Sequence, residues 1–197
     1  MKQIFLDVET KNTFDEVGGY FPEKLAASFV GVIERDGFPG ETGTVEVRHE
    51  LFEKDFNQIP TILERADLIV GFNSIGFDLP VIKAFYPGDI AKLPQLDLLE
   101  VIKNEAGHRV SLDAVAKETL GTQKIGHGLD AISYYQKGEL DKLAAYCMKD
   151  VEITRDIYDY GREHGHVKFL NKWNNLIRLE VDFSLKNPGL GLQMTLI

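Results

Sequence analysis

The chain has 197 residues, 44% hydrophobic and 27% charged, enough for one domain with a full core. Its 22 Lys and Arg against 31 Asp and Glu leave a net charge of −9, which argues against a protein that holds nucleic acid mainly through a basic surface. One cysteine, Cys147, excludes an intramolecular disulfide and a cysteine-rich zinc site. No run approaches the ~18 apolar residues of a membrane-spanning helix and no cleavable leader opens the chain, so a soluble protein of a reducing, cytoplasmic compartment is expected, with no membrane partner.

The first predicted strand is Ile4-Phe5-Leu6-Asp7-Val8-Glu9-Thr10, followed by a polar, glycine-bearing loop over 11–24. A second strand spans 26–34, and turn chemistry at Asp36-Gly37 and Pro39-Gly40 leads into a third over 44–52. Phe56, Ile59, Ile62 and Leu63 recur at helical spacing and predict a helix over 55–65. The continuous apolar run 68–72 reads as a buried strand, and Asp78 as the N-cap of a helix with Pro80 in its first turn. A strand over 93–98 and helices over 98–106 and 111–120 follow, the second opened by Ser111 and closed by Gly121. After a loop over 122–130, the longest helix is expected from Glu139 to Tyr160, stopped by Gly161. Alternation around Asn174-Asn175 predicts a closing hairpin over 167–183, then a loose tail. Antiparallel strands first and strand–helix alternation later imply an α/β fold: a mixed sheet of about five strands flanked by helices, with a C-terminal β hairpin.

The chemistry starts on the first strand. Side chains alternate along a strand, so Asp7 and Glu9 share one face while Leu6 and Val8 take the other. Two like charges there are costly unless a cation sits between them, and hard divalent ions take oxygen ligands. Taken alone, D-x-E is more often a strand end with two solvated acids. Asp78 follows the end of a buried strand, where ligands of open α/β sheets gather, although an ordinary helix cap explains it as well. Tyr146 and Asp150 are four apart on the long helix and project together. Asp97, ahead of Leu98-Leu99, reads as a structural cap.

The ordered set resembles the DEDD family of 3′→5′ exonucleases, which have a ribonuclease H-like fold. The match consists of D-x-E-T at Asp7–Thr10, N-x-x-x-F-D at Asn73–Asp78 and Y-x-x-x-D at Tyr146–Asp150, and it covers residues 4 to about 160. Tyr146 four before Asp150 resembles the DEDDy branch, as in polymerase proofreading domains; the DEDDh branch has a His five before that Asp, where Ala145 stands. The resemblance implies an exonuclease domain over 1–165, with 166–197 as a hairpin and tail packed on or extending it. It implies hydrolysis of single-stranded DNA or RNA 3′ ends to nucleoside 5′-monophosphates by a two-metal mechanism. Asp7, Glu9, Asp78 and Asp150 would hold two Mg²⁺ or Mn²⁺ ions, Asp7 bridging and Asp78 through water, while Tyr146 orients the attacking water. Oxygen-only ligands favour those ions over Zn²⁺. Removing the four acids takes the net charge from −9 to −5, still acidic, so a short contact with the 3′ end and weak, salt-sensitive binding are expected rather than a long basic groove.

Thr10, Asn73, Phe77 and Lys124 are the candidate substrate contacts, with His127 beside Lys124. Phe14, Tyr20 and Phe21 are read as packing of their loop, with base stacking as the alternative. No polymerase or helicase segment accompanies the motifs, which suggests a stand-alone nuclease open to a helicase or polymerase partner. The rival readings are a silent binding module on the same fold and a ribonuclease H-like endonuclease, whose acids normally follow a different order. A Rossmann-type binder is disfavoured because no G-x-G-x-x-G follows the first strand.

Overall fold

A computed structural model describes residues 1–122 and 128–184. Its strands are β1 (Lys2–Thr10), β2 (Ala27–Asp36), β3 (Val45–Phe52), β4 (Leu68–Gly71), β5 (Gln95–Asp97), β6 (His166–Leu170) and β7 (Leu176–Glu180). The helices are α1 (Ile59–Leu63), α2 (Asp78–Ile82), α3 (Leu98–Ala106), α4 (Leu112–Leu120), α5 (Gly128–Gln136) and α6 (Leu140–His164). The main sheet has the order β3-β2-β1-β4-β5. β1 pairs antiparallel with β2, and β2 with β3; the β1–β4 and β4–β5 pairs are parallel. The mixed sheet expected from the element order is therefore present, with β1 at its centre.

Both faces of that sheet are covered, as strands with near-continuous apolar runs require. Phe5, Phe29, Ile33, Leu68 and Val70 pack beneath α3, α4 and α6. On the other face Ile4, Leu6, Val8, Val30, Val32 and Ile69 meet α1 and α2. Strand alternation thus sends Asp7 and Glu9 to the α6 side, in step with Phe5. β6 and β7 form a separate two-stranded sheet held on α4, where Thr119 Oγ accepts from the Lys168 amide at 2.8 Å and donates to its carbonyl at 3.0 Å.

Several expected boundaries move. Residues 53–58 form a 3-10 turn rather than the start of a helix, and α1 follows it. Gly161 does not end the long helix. It lies inside α6, where the missing side chain admits the Phe183 ring, and Gly165 ends the helix in the left-handed region (φ 69°) with its amide on the Gly161 carbonyl. The closing strand stops at Glu180; beyond it Val181 and Phe183 fold back on α6, with Phe183 stacked on Tyr158. Helix α5 begins inside the loop expected over 122–130 and has no expected counterpart. Its β-branched and aromatic residues are weak helix formers, and Leu129 is 72% exposed, so no clean apolar stripe marks it. Lys124, His127 and the tail from Lys186 lie outside the described residues. Among the described residues no helix is long and apolar enough to cross a membrane.

Candidate active site

The carboxyl end of β1 and the middle of α6 enclose a cavity of about 430 Å³. Asp7, Glu9, Thr10, Phe77, Tyr146 and Asp150 line it, with Phe14, Leu25, Leu129 and Ile132 as apolar walls. No Lys or Arg is among the described residues that line it. Asp7 is opposite Gly31 in the β1–β2 register, and the register shifts between Glu9 and Thr10. Such a bulge bends the strand beside a site and re-aims its side chains.

Asp78 is drawn in from the far side of β1. It does not cap α2: Phe77 occupies the cap position and no side-chain cap bond forms. The carboxylate Oδ1 instead accepts the Val8 amide at 2.8 Å, between the two acids of β1. The expected helix cap is thereby corrected, because the neighbouring strand offers a buried amide donor that outcompetes the end of a five-residue helix. Burial, and next the charge of Asp7, hold the Asp78 carboxyl well above its ordinary value, against the opposing pull of the Val8 amide.

On α6, Tyr146 and Asp150 are buried and face the same cavity at the i, i+4 spacing. Burial, then the charges of Asp150, Glu9 and Asp7, push the Tyr146 phenol far up, so it stays a neutral O–H donor. Cys147, between them, is fully buried; its thiol lies 3.3 Å from both the Asp7 carboxylate Oδ2 and the Asp7 carbonyl and donates to them. Burial and the Asp7 and Glu9 charges raise that thiol well above its ordinary value. In the sequence Cys147 serves only to exclude a disulfide and a cysteine-rich zinc site. Its adjacency to Tyr146 was the available signal.

Asn73 is not among the residues lining the cavity. It adopts φ 69° after β4, and its Oδ1 accepts from Arg109 at 3.0 Å. Asp97 fastens the same loop, accepting the Asn73 amide at 2.8 Å and the Ile75 amide at 3.0 Å while capping α3 through Leu99. Its structural role is the one expected. Opposite, α5 is tied to the sheet end by Glu53, which accepts from Tyr135 at 2.8 Å and pairs with Lys11 at 2.6 Å. Leu25, Leu129 and Ile132 were missed as site residues, because isolated apolar residues in a loop or an unrecognised helix carry no pattern.

The carboxylates suit a hard divalent cation: oxygens of Asp7 and Glu9 lie within 4.8 Å of each other and of the Cys147 sulfur, whose thiol, kept protonated by burial and by those charges, is no ligand for such an ion. A cation would also relieve the Asp7 repulsion that, after burial, raises Asp78.

A family model described as RNase_H superfamily (RNase_H_2) matches residues 4–161. Among curated proteins none matches the chain significantly.

Proposed function

The chain belongs to the ribonuclease H superfamily, and from that membership we propose that it is a metal-dependent 3′→5′ exonuclease acting on single-stranded nucleic acid ends. One observation carries the reading: Asp78, seventy residues from β1 in sequence, bonds the Val8 amide between Asp7 and Glu9. A carboxylate that leaves its own helix end for a strand amide beside Asp7 satisfies that amide, but the bond alone does not explain a second acid there, since burial and the Asp7 charge penalise it. It is well explained by a cation site.

Asp7, Glu9 and Asp150 would hold two Mg²⁺ or Mn²⁺ ions, with Asp78 contributing through water. When bound, such ions lower the pKa of water and neutralise charge on the phosphodiester during in-line displacement. The chain's own residues do the rest. The Tyr146 hydroxyl, held neutral, donates a hydrogen bond that orients the attacking water and does not act as a base. Cys147 fixes the Asp7 carboxylate through its thiol donor. Thr10 and Phe77 bound the terminal nucleotide, and the apolar walls exclude bulk water from it. The water oxygen bonds to phosphorus as the P–O3′ bond breaks, which leaves a 3′-hydroxyl on the shortened strand and releases a nucleoside 5′-monophosphate.

The test is digestion of 5′-labelled and 3′-labelled DNA and RNA oligonucleotides in Mn²⁺, Mg²⁺ or EDTA, beside Asp150→Asn. The reading expects a descending ladder from the 5′ label and immediate mononucleotide release from the 3′ label. Both should vanish in EDTA and in the variant. Cleavage of a circular strand would instead establish an endonuclease.

A further inference from the structure

The loop between β1 and β2 carries an aromatic ring that packing alone does not explain. Tyr20 is 62% exposed, yet it is pinned at both ends. Its ring stacks on Phe14 with centroids 4.6 Å apart and planes at 29°, and its hydroxyl donates to the Gly76 carbonyl at 2.9 Å. Phe14 in turn meets Phe77 edge-on at 5.9 Å, and both line the cavity. The loop beneath is itself ordered: the Gly19 amide bonds the Phe14 carbonyl at 2.9 Å, and Gly18 and Gly19 adopt φ of 83° and 138° that L side chains rarely take.

Folding gains little from an aromatic left mostly in water, while immobilising it costs side-chain entropy. A flat ring held rigid with its outer face exposed is instead what a stacking partner needs, since the ordering is already done before binding. The charge distribution points the same way. With a net charge of −9, and no Lys or Arg among the described residues lining the cavity, phosphate contacts from those side chains supply little affinity. Beyond the nucleotide held at the proposed cations, stacking, which every base offers, is a source that needs no basic side chain.

Resting on the exonuclease reading above, we infer that Tyr20 is a stacking platform for an unpaired nucleobase just upstream of the terminal nucleotide held in the cavity. Bases within a duplex already stack on their neighbours and cannot lie on it. The platform therefore sets both a length dependence and a preference for unpaired ends, through a contact that depends only weakly on salt.

The experiment measures dissociation constants by fluorescence anisotropy for 5′-labelled oligothymidylates of two to six nucleotides in Ca²⁺, at two salt concentrations. Wild type, Tyr20→Ala and Tyr20→Phe are compared, each first checked for an unchanged thermal unfolding profile. Wild type should gain about tenfold in affinity as the strand lengthens past the cavity, with a shallow salt slope. Tyr20→Ala should lose that gain, and Tyr20→Phe, which keeps the ring and drops the bond to Gly76, should retain most of it. Equal length dependence in wild type and Tyr20→Ala overturns the platform while leaving end digestion intact. So does a Tyr20→Phe as weak as Tyr20→Ala, because the hydroxyl would then matter only for holding the loop. Failure of wild type to bind or digest any strand overturns the exonuclease reading itself.

Discussion

Replacing Gly31 by Ala places a methyl group where α6 presses on the sheet, directly across the strand pair from Asp7. The added Cβ would sit 3.0 Å from Met148 Sδ, 3.1 Å from Cys147 Sγ and 3.1 Å from Val151 Cγ2, each closer than the 3.4–4 Å of ordinary contact. Relief requires α6 to move by a few tenths of an ångström, because three contacts along one helix face are not cleared by a single rotamer change. Overpacking of this kind costs about 1–3 kcal/mol, and for a chain of this size each kcal/mol lowers Tm by about 2–4 °C. The same shift carries Tyr146 and Asp150 away from Asp7 and Glu9. On a scale of about 100-fold in rate per ångström of misplacement, a movement of this size lowers kcat about four- to tenfold. Calorimetry, together with single-turnover cleavage of a labelled oligonucleotide in Mn²⁺, measures both effects. A Gly31→Ala protein with wild-type Tm and wild-type rate would refute the idea that Gly31 seats α6 on the site.

Asp78→Asn keeps an acceptor for the Val8 amide but removes a buried charge. Because the folded-state pKa of Asp78 lies above its ordinary value, its stabilising contribution is present at low pH and is lost as pH rises through that folded value. Metal-free Asp78→Asn should therefore gain stability over metal-free wild type as pH rises to neutral, read as a higher Tm, while losing nuclease activity; a variant less stable than wild type at pH 7 contradicts this. Tyr146→Phe should lower kcat about 100-fold, as loss of an oriented donor does, with Mn²⁺ affinity unchanged and the neutral limb of the pH–rate profile unmoved. A vanished limb near neutrality would make Tyr146 a base after all. Arg35 is buried at the other end of β2, bonded to both Asp159 oxygens at 2.7 and 2.8 Å and to Gln3 at 2.8 Å. Arg35→Ala leaves buried Gln3 and half-buried Asp159 without their shared donor, which should cost about 3–5 kcal/mol in urea unfolding; a loss below 1 kcal/mol would mean the pair is dispensable.

Much of the architecture was legible because local chemistry and tertiary context agree. Ser111 and Gly121 bracket α4 as their capping preferences dictate, and Asp97 caps α3. Where the two disagree, the sequence misleads. Gly161 reads as a helix stop, but its lack of a side chain serves Phe183 instead. Asp78 reads as a cap, yet a strand amide from another part of the sheet claims its carboxylate. For the site, alternation on β1 put Asp7 and Glu9 on one face and the four-residue spacing on α6 put Tyr146 and Asp150 on another; that the two faces meet was implied only by the family resemblance, and the cavity they line shows it. The apolar half of the cavity was hidden, since Leu25, Leu129 and Ile132 acquire meaning only when α5 closes over β1. Cys147 and Gly31 were hidden for the same reason: each acts across a gap between elements that no single stretch of sequence spans.

The most direct test of a two-cation site at the meeting of β1, α2 and α6 is a Mn²⁺ titration followed by electron paramagnetic resonance, on wild type and Asp7→Asn under identical conditions. The account expects two ions per wild-type chain in the presence of a nucleoside 5′-monophosphate, and at most one in the variant, in parallel with loss of strand cleavage. Wild type that binds no Mn²⁺, or an Asp7→Asn that binds two with unchanged affinity, would contradict it.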